Sequence, residues 1–214
     1  MPRTKSILAF LLALSFFFSS AQAVRMSQAA RLAQGRNGRR IIGYATVSRR
    51  EARDINQHYA LVVSSSLISD QLGHGFYIAN QPDVLQGETG SWYCVIKANR
   101  GLMMNVGKAW IPESYFDSNM IEEQDVWDQG EDAVVEYIAT LMERPTEALR
   151  FSWVKGMHWR SQMVIPSNVI TGDKLGFWAK CYRSKDELAG HWNDFIDWEE
   201  WNIDGDRSRP TSTP

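Results

Sequence analysis

The chain has two cysteines, Cys94 and Cys181, and each sits inside a strand-like apolar run: Trp92-Tyr93-Cys94-Val95-Ile96 and Phe177-Trp178-Ala179-Lys180-Cys181-Tyr182. What they do depends on the compartment they meet. Arg3 and Lys5 give a positive start, and Ile7 to Phe18 is a nearly unbroken apolar run. Ser19-Ser20-Ala21-Gln22-Ala23 then supplies small residues in an A-x-A pattern. This is the pattern of a secretory signal peptide over residues 1–23, with cleavage expected after Ala23. The apolar run is too short to span a bilayer, and no later stretch approaches the length required, so no membrane span is expected. The mature protein is expected to be secreted and extracellular, where two cysteines usually pair. A Cys94–Cys181 disulfide is predicted; the alternative is two separate buried thiols. The bond would tie together two runs 87 positions apart. On the chain-entropy view it would stabilise by roughly 4–5 kcal/mol. Neither cysteine opens a helix, so a catalytic thiolate is not expected. No cysteine–histidine cluster has metal-ligand spacing, and no metal is expected.

The 214 residues suffice for one domain with a proper core. Apolar residues make up 44% and charged residues 22%, a globular rather than a disordered balance. Residues 24–40 break that balance, with five arginines and no acid. They read either as a basic arm or as a propeptide cut after Arg39-Arg40. Residues 24–214 carry a net charge of −4, and residues 41–214 a net charge of −9. Non-specific nucleic-acid binding needs clustered cations, so no nucleic-acid partner is expected.

Past the arm, Arg40 to Ser48 reads as a strand. Ser48-Arg49-Arg50-Glu51 fits a capping box opening a short amphipathic helix over 49–58. Leu72-Gly73-His74-Gly75-Phe76-Tyr77-Ile78-Ala79-Asn80 is a Gly-x-Gly turn running into an alternating strand. Glycine permits close backbone approach, so this turn can carry a ligand. Alternation puts Phe76 and Ile78 on the core face and turns Tyr77 towards a cleft or solvent. Ser91 to Ala98, Leu102 to Ile111, Ala148 to Val154, Trp159 to Pro166 and Leu175 to Tyr182 also read as strands. Residues 113–147 carry eleven acids against Arg144 alone and read as a solvated loop and helix face. The helix within them shows an apolar stripe at 134, 135, 138, 141 and 142 and is expected to end at Pro145. Ser184-Lys185-Asp186-Glu187 opens a last helix towards Phe195, and residues 204–214 read as a disordered tail.

Three of these stretches carry a family resemblance. Gly43-Tyr44-Ala45-Thr46-Val47-Ser48-x-x-x-Ala52-x-x-Ile55 resembles the opening of ADP-ribosyltransferase domains, with Tyr44 where the family has His or Arg. Gly73-His74-Gly75-Phe76-Tyr77-Ile78-Ala79 resembles their second motif. Gln162-Met163-Val164-Ile165-Pro166 resembles the third, with Gln162 in the place of the family's Glu. The resemblance covers roughly residues 41–166. It implies an α+β fold of split antiparallel β-sheets with flanking short helices, occupying residues 41–203, and NAD as substrate. It implies catalytic positions at Tyr44, Tyr77 and Gln162. It implies cofactor-binding positions at Gly43, Ala45, Thr46, Ser48, Gly75 and Tyr77.

That chemistry needs a pocket that grips nicotinamide and a carboxylate that stabilises the oxocarbenium-like centre left when nicotinamide departs. Gln162 has no charge, although it can hydrogen-bond a ribose hydroxyl. Tyr44 can donate one hydrogen bond but is bulkier than His. The expectation is therefore a secreted ADP-ribosyltransferase-like toxin or effector with weak or lost transferase or NAD-glycohydrolase activity, aimed at a host or competitor protein. A non-catalytic binding module on the same fold is the alternative, and an unrelated secreted α+β domain is a third reading. His74 and His158 each sit at a turn before a site strand. Glu88 and Glu113 are the carboxylates that motif order offers in place of the missing Glu.

Overall fold

The computed structural model describes residues 38–63, 71–84, 87–116, 122–157 and 160–207. The expected signal peptide at 1–23, residues 24–37 of the expected arm, His158 and Trp159 lie outside them.

Seven strands form one sheet, in the order β4-β7-β8-β2-β1-β3-β9. They are β1 (Arg39–Val47), β2 (Gly75–Ala79), β3 (Trp92–Asn99), β4 (Lys108–Trp110), β7 (Leu149–Trp153), β8 (Ser161–Pro166) and β9 (Trp178–Tyr182). Pairing is antiparallel at β1–β2, β2–β8, β7–β8 and β3–β9, and parallel at β4–β7. β5 (Ser114–Phe116) and β6 (Glu123–Asp125) make a separate two-stranded ribbon. The helices are α1 (Arg49–His58), α2 (Arg100–Asn105), α3 (Glu131–Ala139), α4 (Ser167–Thr171) and α5 (Lys185–His191). The architecture is mixed α+β, with a large, mostly antiparallel sheet and few, short helices. The large sheet is continuous through all seven strands.

Strand alternation sorts the side chains into three cores. One face of the sheet gives the main core: Ile42, Phe76, Ile78, Ile96, Phe151 and Met163, closed by Ile55 of α1 and Met103 of α2. Phe76 and Ile78 share it as expected, and Tyr77 points the other way. The opposite face is covered twice. Near β4, β7 and β8 it packs against Trp127, Val134 and Ile138. Near β1, β3 and β9 it packs on Leu188 of α5, around Tyr44, Val95 and Tyr182. The stretch over β1, β2 and β8 lies between these two coverings.

The predicted disulfide is present: Cys94 and Cys181 face each other across β3 and β9 and are bonded. The outer edge of β9 is closed by α1. Asn56 donates from Nδ2 to the Cys181 carbonyl at 2.9 Å, and its Oδ1 accepts the Cys181 N–H at 2.8 Å. One amide side chain thus stands in for a neighbouring strand and blunts an edge that would otherwise invite pairing. The capping box of α1 is complete, with Ser48 Oγ accepting the Glu51 N–H and Glu51 accepting the Ser48 N–H.

Several expectations are corrected. Leu102 to Ile111 is not one strand: Asn99 Oδ1 accepts the Gly101 and Leu102 N–H groups and caps α2, and β4 begins at Lys108. α3 ends at Ala139, before Pro145, where the Thr140 hydroxyl donates to the Tyr137 carbonyl at 2.7 Å. Its third buried residue is Tyr137, and Val135 lies off the buried stripe. α5 stops at His191, short of Phe195. Asp204 is paired: its N–H donates to the Lys108 carbonyl and its carbonyl accepts the Trp110 N–H, a parallel bridge to β4. At the other end, Arg39 and Arg40 already belong to β1, and the Arg40 guanidinium lies 4.5 Å over the Trp201 ring. A protease cutting after Arg40 would have to open the start of that strand. Among the described residues no helix is long and apolar enough to cross a membrane.

Candidate functional site

A cleft of about 450 Å³ opens in the uncovered stretch over β1, β2 and β8. Its walls include Tyr44, Ala45 and Thr46 of β1, Tyr77 of β2 and Gln162 of β8. Positions 44, 77 and 162 are remote in sequence, yet the strand order makes their strands neighbours. The register sets Tyr44 opposite Ala79, and Ala79 opposite Gln162.

Each of the three side chains is already engaged. Tyr44 is fully buried and its hydroxyl donates to the Asp194 carbonyl at 3.0 Å. Burial, helped by the nearby Asp194 charge, pushes its pKa up to about 12. Tyr77 is half-buried; its hydroxyl donates to the Gly73 carbonyl at 2.9 Å and accepts the Leu72 N–H at 3.0 Å. Gln162, 8% exposed, donates from Nε2 to Gln71 Oε1 at 2.8 Å.

Gln71 is the residue that sequence reasoning missed most completely. Its Oε1 accepts the Lys155 N–H at 3.0 Å, and its Nε2 donates to the Trp153 carbonyl at 2.8 Å. These two backbone partners fix which end of the amide is which. Oε1 therefore faces position 162, which must present a donor. A glutamine there meets that demand, and a carboxylate does not.

The Gly-x-Gly turn is likewise pinned from within. Arg150, fully buried on β7, donates from Nη1 to the Leu72 carbonyl at 2.8 Å and grips Glu131 at 2.5 and 2.7 Å. Glu131 Oε2 also accepts the His74 N–H at 2.7 Å. Burial pushes the Glu131 pKa up, but the Arg150 hydrogen bonds and charge, with the His74 N–H, hold it below the ordinary value. Gly73 has φ +76°, and a Cβ there would run into Glu131 Oε2 and Arg150 Nη1. Gly73 thus serves the buried ion pair.

The remaining expected positions divide. Ala45 and Thr46 line the cleft; Gly43, Gly75 and Ser48 do not. Gly43 is where β1 and β2 touch, since a Cβ would sit 2.7 Å from the Ala79 carbonyl. Gly75 opens β2 opposite Pro166, and Ser48 is spent on its helix cap. Glu88 and Glu113 lie off the cleft wall; so does His74, whose N–H is held by Glu131. His158 falls outside the described residues. Thr46 Oγ1 is buried with no hydrogen-bond partner among the described residues. A buried hydroxyl in that state is costly unless something fills its demand.

Asp128 also lines the cleft, in the turn after β6. Its φ is +63°, its N–H donates to the Gln71 carbonyl at 3.3 Å, and its carboxylate pairs with Lys155. Trp127 beside it is buried, with Nε1 donating to the Ile111 carbonyl at 3.2 Å. The sequence signal was Trp127-Asp128-Gln129-Gly130, a turn by composition, with nothing to say that it faces β8. A second cavity of about 410 Å³, walled by Trp110, Trp153 and Arg160, meets the first at Ser161.

Residues 70–206 match the model of a family described as "Family of unknown function (DUF5910)". The match takes in β2 to β9, and with them Tyr77, Asp128, Gln162 and the disulfide. No curated protein matches the chain.

Proposed function

The chain belongs to that family of unknown function, and we propose that it is a secreted ADP-ribosyltransferase-like effector. In this reading it binds NAD as substrate in the cleft over β1, β2 and β8, with weakened transferase or NAD-glycohydrolase activity, on a divergent form of the ADP-ribosyltransferase fold. One observation carries the reading. The three motif positions, scattered over 119 residues of sequence, fall on adjacent strands and wall a single cleft.

Thr46 supports the fit of the substrate. A nicotinamide carboxamide has both a donor and an acceptor, and the orphaned Thr46 hydroxyl can answer either. The Tyr77 ring would be the wall against which the nicotinamide stacks. Its hydroxyl is tied to the Gly73 and Leu72 backbone, which fixes the orientation of the ring. A second reading, a non-catalytic binding module, is favoured by the commitment of the Tyr44 and Gln162 polar atoms to the protein itself.

Thr46→Val tests the reading. It removes the orphaned hydroxyl and keeps the shape, so the protein should be no less stable. Titration calorimetry should show NAD binding weakened by about fivefold or more, the worth of one hydrogen bond. Nicotinamide release by the wild type separates enzyme from binding module. A wild type that does not bind NAD, or a Thr46→Val protein that binds it equally well, rejects this use of the cleft.

A further inference from the structure

We propose that Asp128 supplies the carboxylate that the cleft needs and position 162 lacks. The inference rests on the NAD reading above and assigns the charge within it.

Departure of nicotinamide leaves positive charge at the ribose C1′, and a preorganised negative group facing that carbon is what lowers the barrier. Gln162 cannot provide it, and the Gln71 amide holds position 162 to a donor. The strand that carries the family's Glu is thus barred from carrying one here. Among the described residues that line the cleft, Asp128 is the one carboxylate. Glu131, three residues on, is consumed by Arg150 and the His74 N–H.

The position of Asp128 is enforced. Its left-handed backbone costs energy for any residue with a Cβ, and such strain persists where surrounding structure over-determines it. Here the buried Trp127 indole anchors one side of the turn, and the Gln71 carbonyl holds the Asp128 N–H. Gln71 therefore does two things at once: it occupies Gln162 and it fastens Asp128 to the same cleft. Lys155, which also lines the cleft and is 59% exposed, pairs with Asp128, and this exposed ion pair is the one contact the carboxylate must loosen to face the ribose.

The step balances without a further reactant. The bond from C1′ to the nicotinamide nitrogen breaks, and its electron pair leaves with nicotinamide, which departs neutral. A water oxygen bonds to C1′. Asp128 faces the positive centre, accepts one proton from that water and passes it to solvent. The products are nicotinamide, ADP-ribose and a proton.

Asp128→Asn keeps the size and the tolerance of a positive φ while removing the charge. Nicotinamide release should fall about 10²–10³-fold, as when one electrostatic stabiliser is removed. NAD affinity should stay within threefold. Asp128→Glu, which restores the charge, should recover at least tenfold of the loss, which a merely structural role for the turn would not give. A fall of less than tenfold in Asp128→Asn, or equal loss in the Asn and Glu variants, overturns the assignment and leaves the NAD reading standing. A wild type that binds NAD without releasing nicotinamide also overturns it and leaves a binding module. A wild type that does not bind NAD overturns both.

Discussion

At the scale of single residues, the cleft is governed by which groups already have partners. Gln162 illustrates this. Sequence reasoning treats it as a family Glu that has lost its charge, and Gln162→Glu then looks like a restoration. The Gln71 amide makes the opposite prediction. A carboxylate at 162 would face Oε1, an acceptor, in a site 8% exposed. Gln162→Glu should cost about 1–3 kcal/mol at neutral pH. Burial and a facing acceptor both favour the neutral acid, so the folded pKa of the introduced Glu should rise above its ordinary value of about 4.3. The protonated form donates and suits the site, so the variant should approach wild-type stability below about pH 4. It should lose stability as pH rises through the raised folded value. Urea denaturation of both proteins from pH 3 to 7 measures this; a deficit that does not change with pH rejects the assigned amide orientation. Gly73 teaches a related lesson. The Gly-x-Gly pattern was legible as a turn, but its cause was not, because Arg150 and Glu131 lie far off in sequence and nothing local marks them as a buried pair.

At the scale of elements, the strands were legible and their endings less so. Alternation alone located β2, with Phe76 and Ile78 inward and Tyr77 on the cleft side. The capping-box pattern at Ser48 located α1 to the residue. Leu102-Met103-Met104 misled because an apolar run reads equally as strand or helix, and the deciding group is the Asn99 side chain before it. The acidic stretch hid β5, β6 and Asp128, since short exposed elements leave no periodicity to read. Edge protection was invisible for another reason. Asn56 is an ordinary polar residue on a helix until β9 lies beside it. Asn56→Ala should leave the Cys181 N–H and carbonyl without a protein partner and cost about 1–2 kcal/mol, partly relieved by water. Hydrogen exchange should quicken at Cys181 while the central strands stay protected; unchanged exchange there would show that the helix backbone, and not this amide, closes the edge.

At the scale of the whole molecule, two cross-links tie distant parts of the chain, and they answer to different conditions. The disulfide joins β3 to β9 and answers to redox. The Arg150–Glu131 pair joins β7, the start of α3 and the Gly-x-Gly turn, and it answers to pH. The first was legible because two cysteines expected to meet an oxidising compartment have few fates. The second was not, since the sequence shows a solvated acidic region and one arginine among many. The pair makes a prediction about acid. Glu131 is held below the ordinary carboxylate value in the folded protein, against the pull of burial. A carboxylate with a depressed folded pKa contributes stability that is complete above the unfolded value and fades as pH falls through the folded one. Glu131→Gln keeps the shape and cannot titrate. The stability difference between wild type and Glu131→Gln should therefore be constant from pH 7 down to about 5, then shrink as the pH drops below the ordinary carboxylate value. Because Glu131 also holds the His74 N–H, the turn ahead of Tyr77 should loosen in the same window, and NAD binding should weaken with it. Thermal melts of both proteins from pH 3 to 7, read beside NAD titrations, test the linkage. A difference that persists unchanged to pH 3 would mean that the buried arginine is held by the Leu72 carbonyl and packing, with the carboxylate incidental.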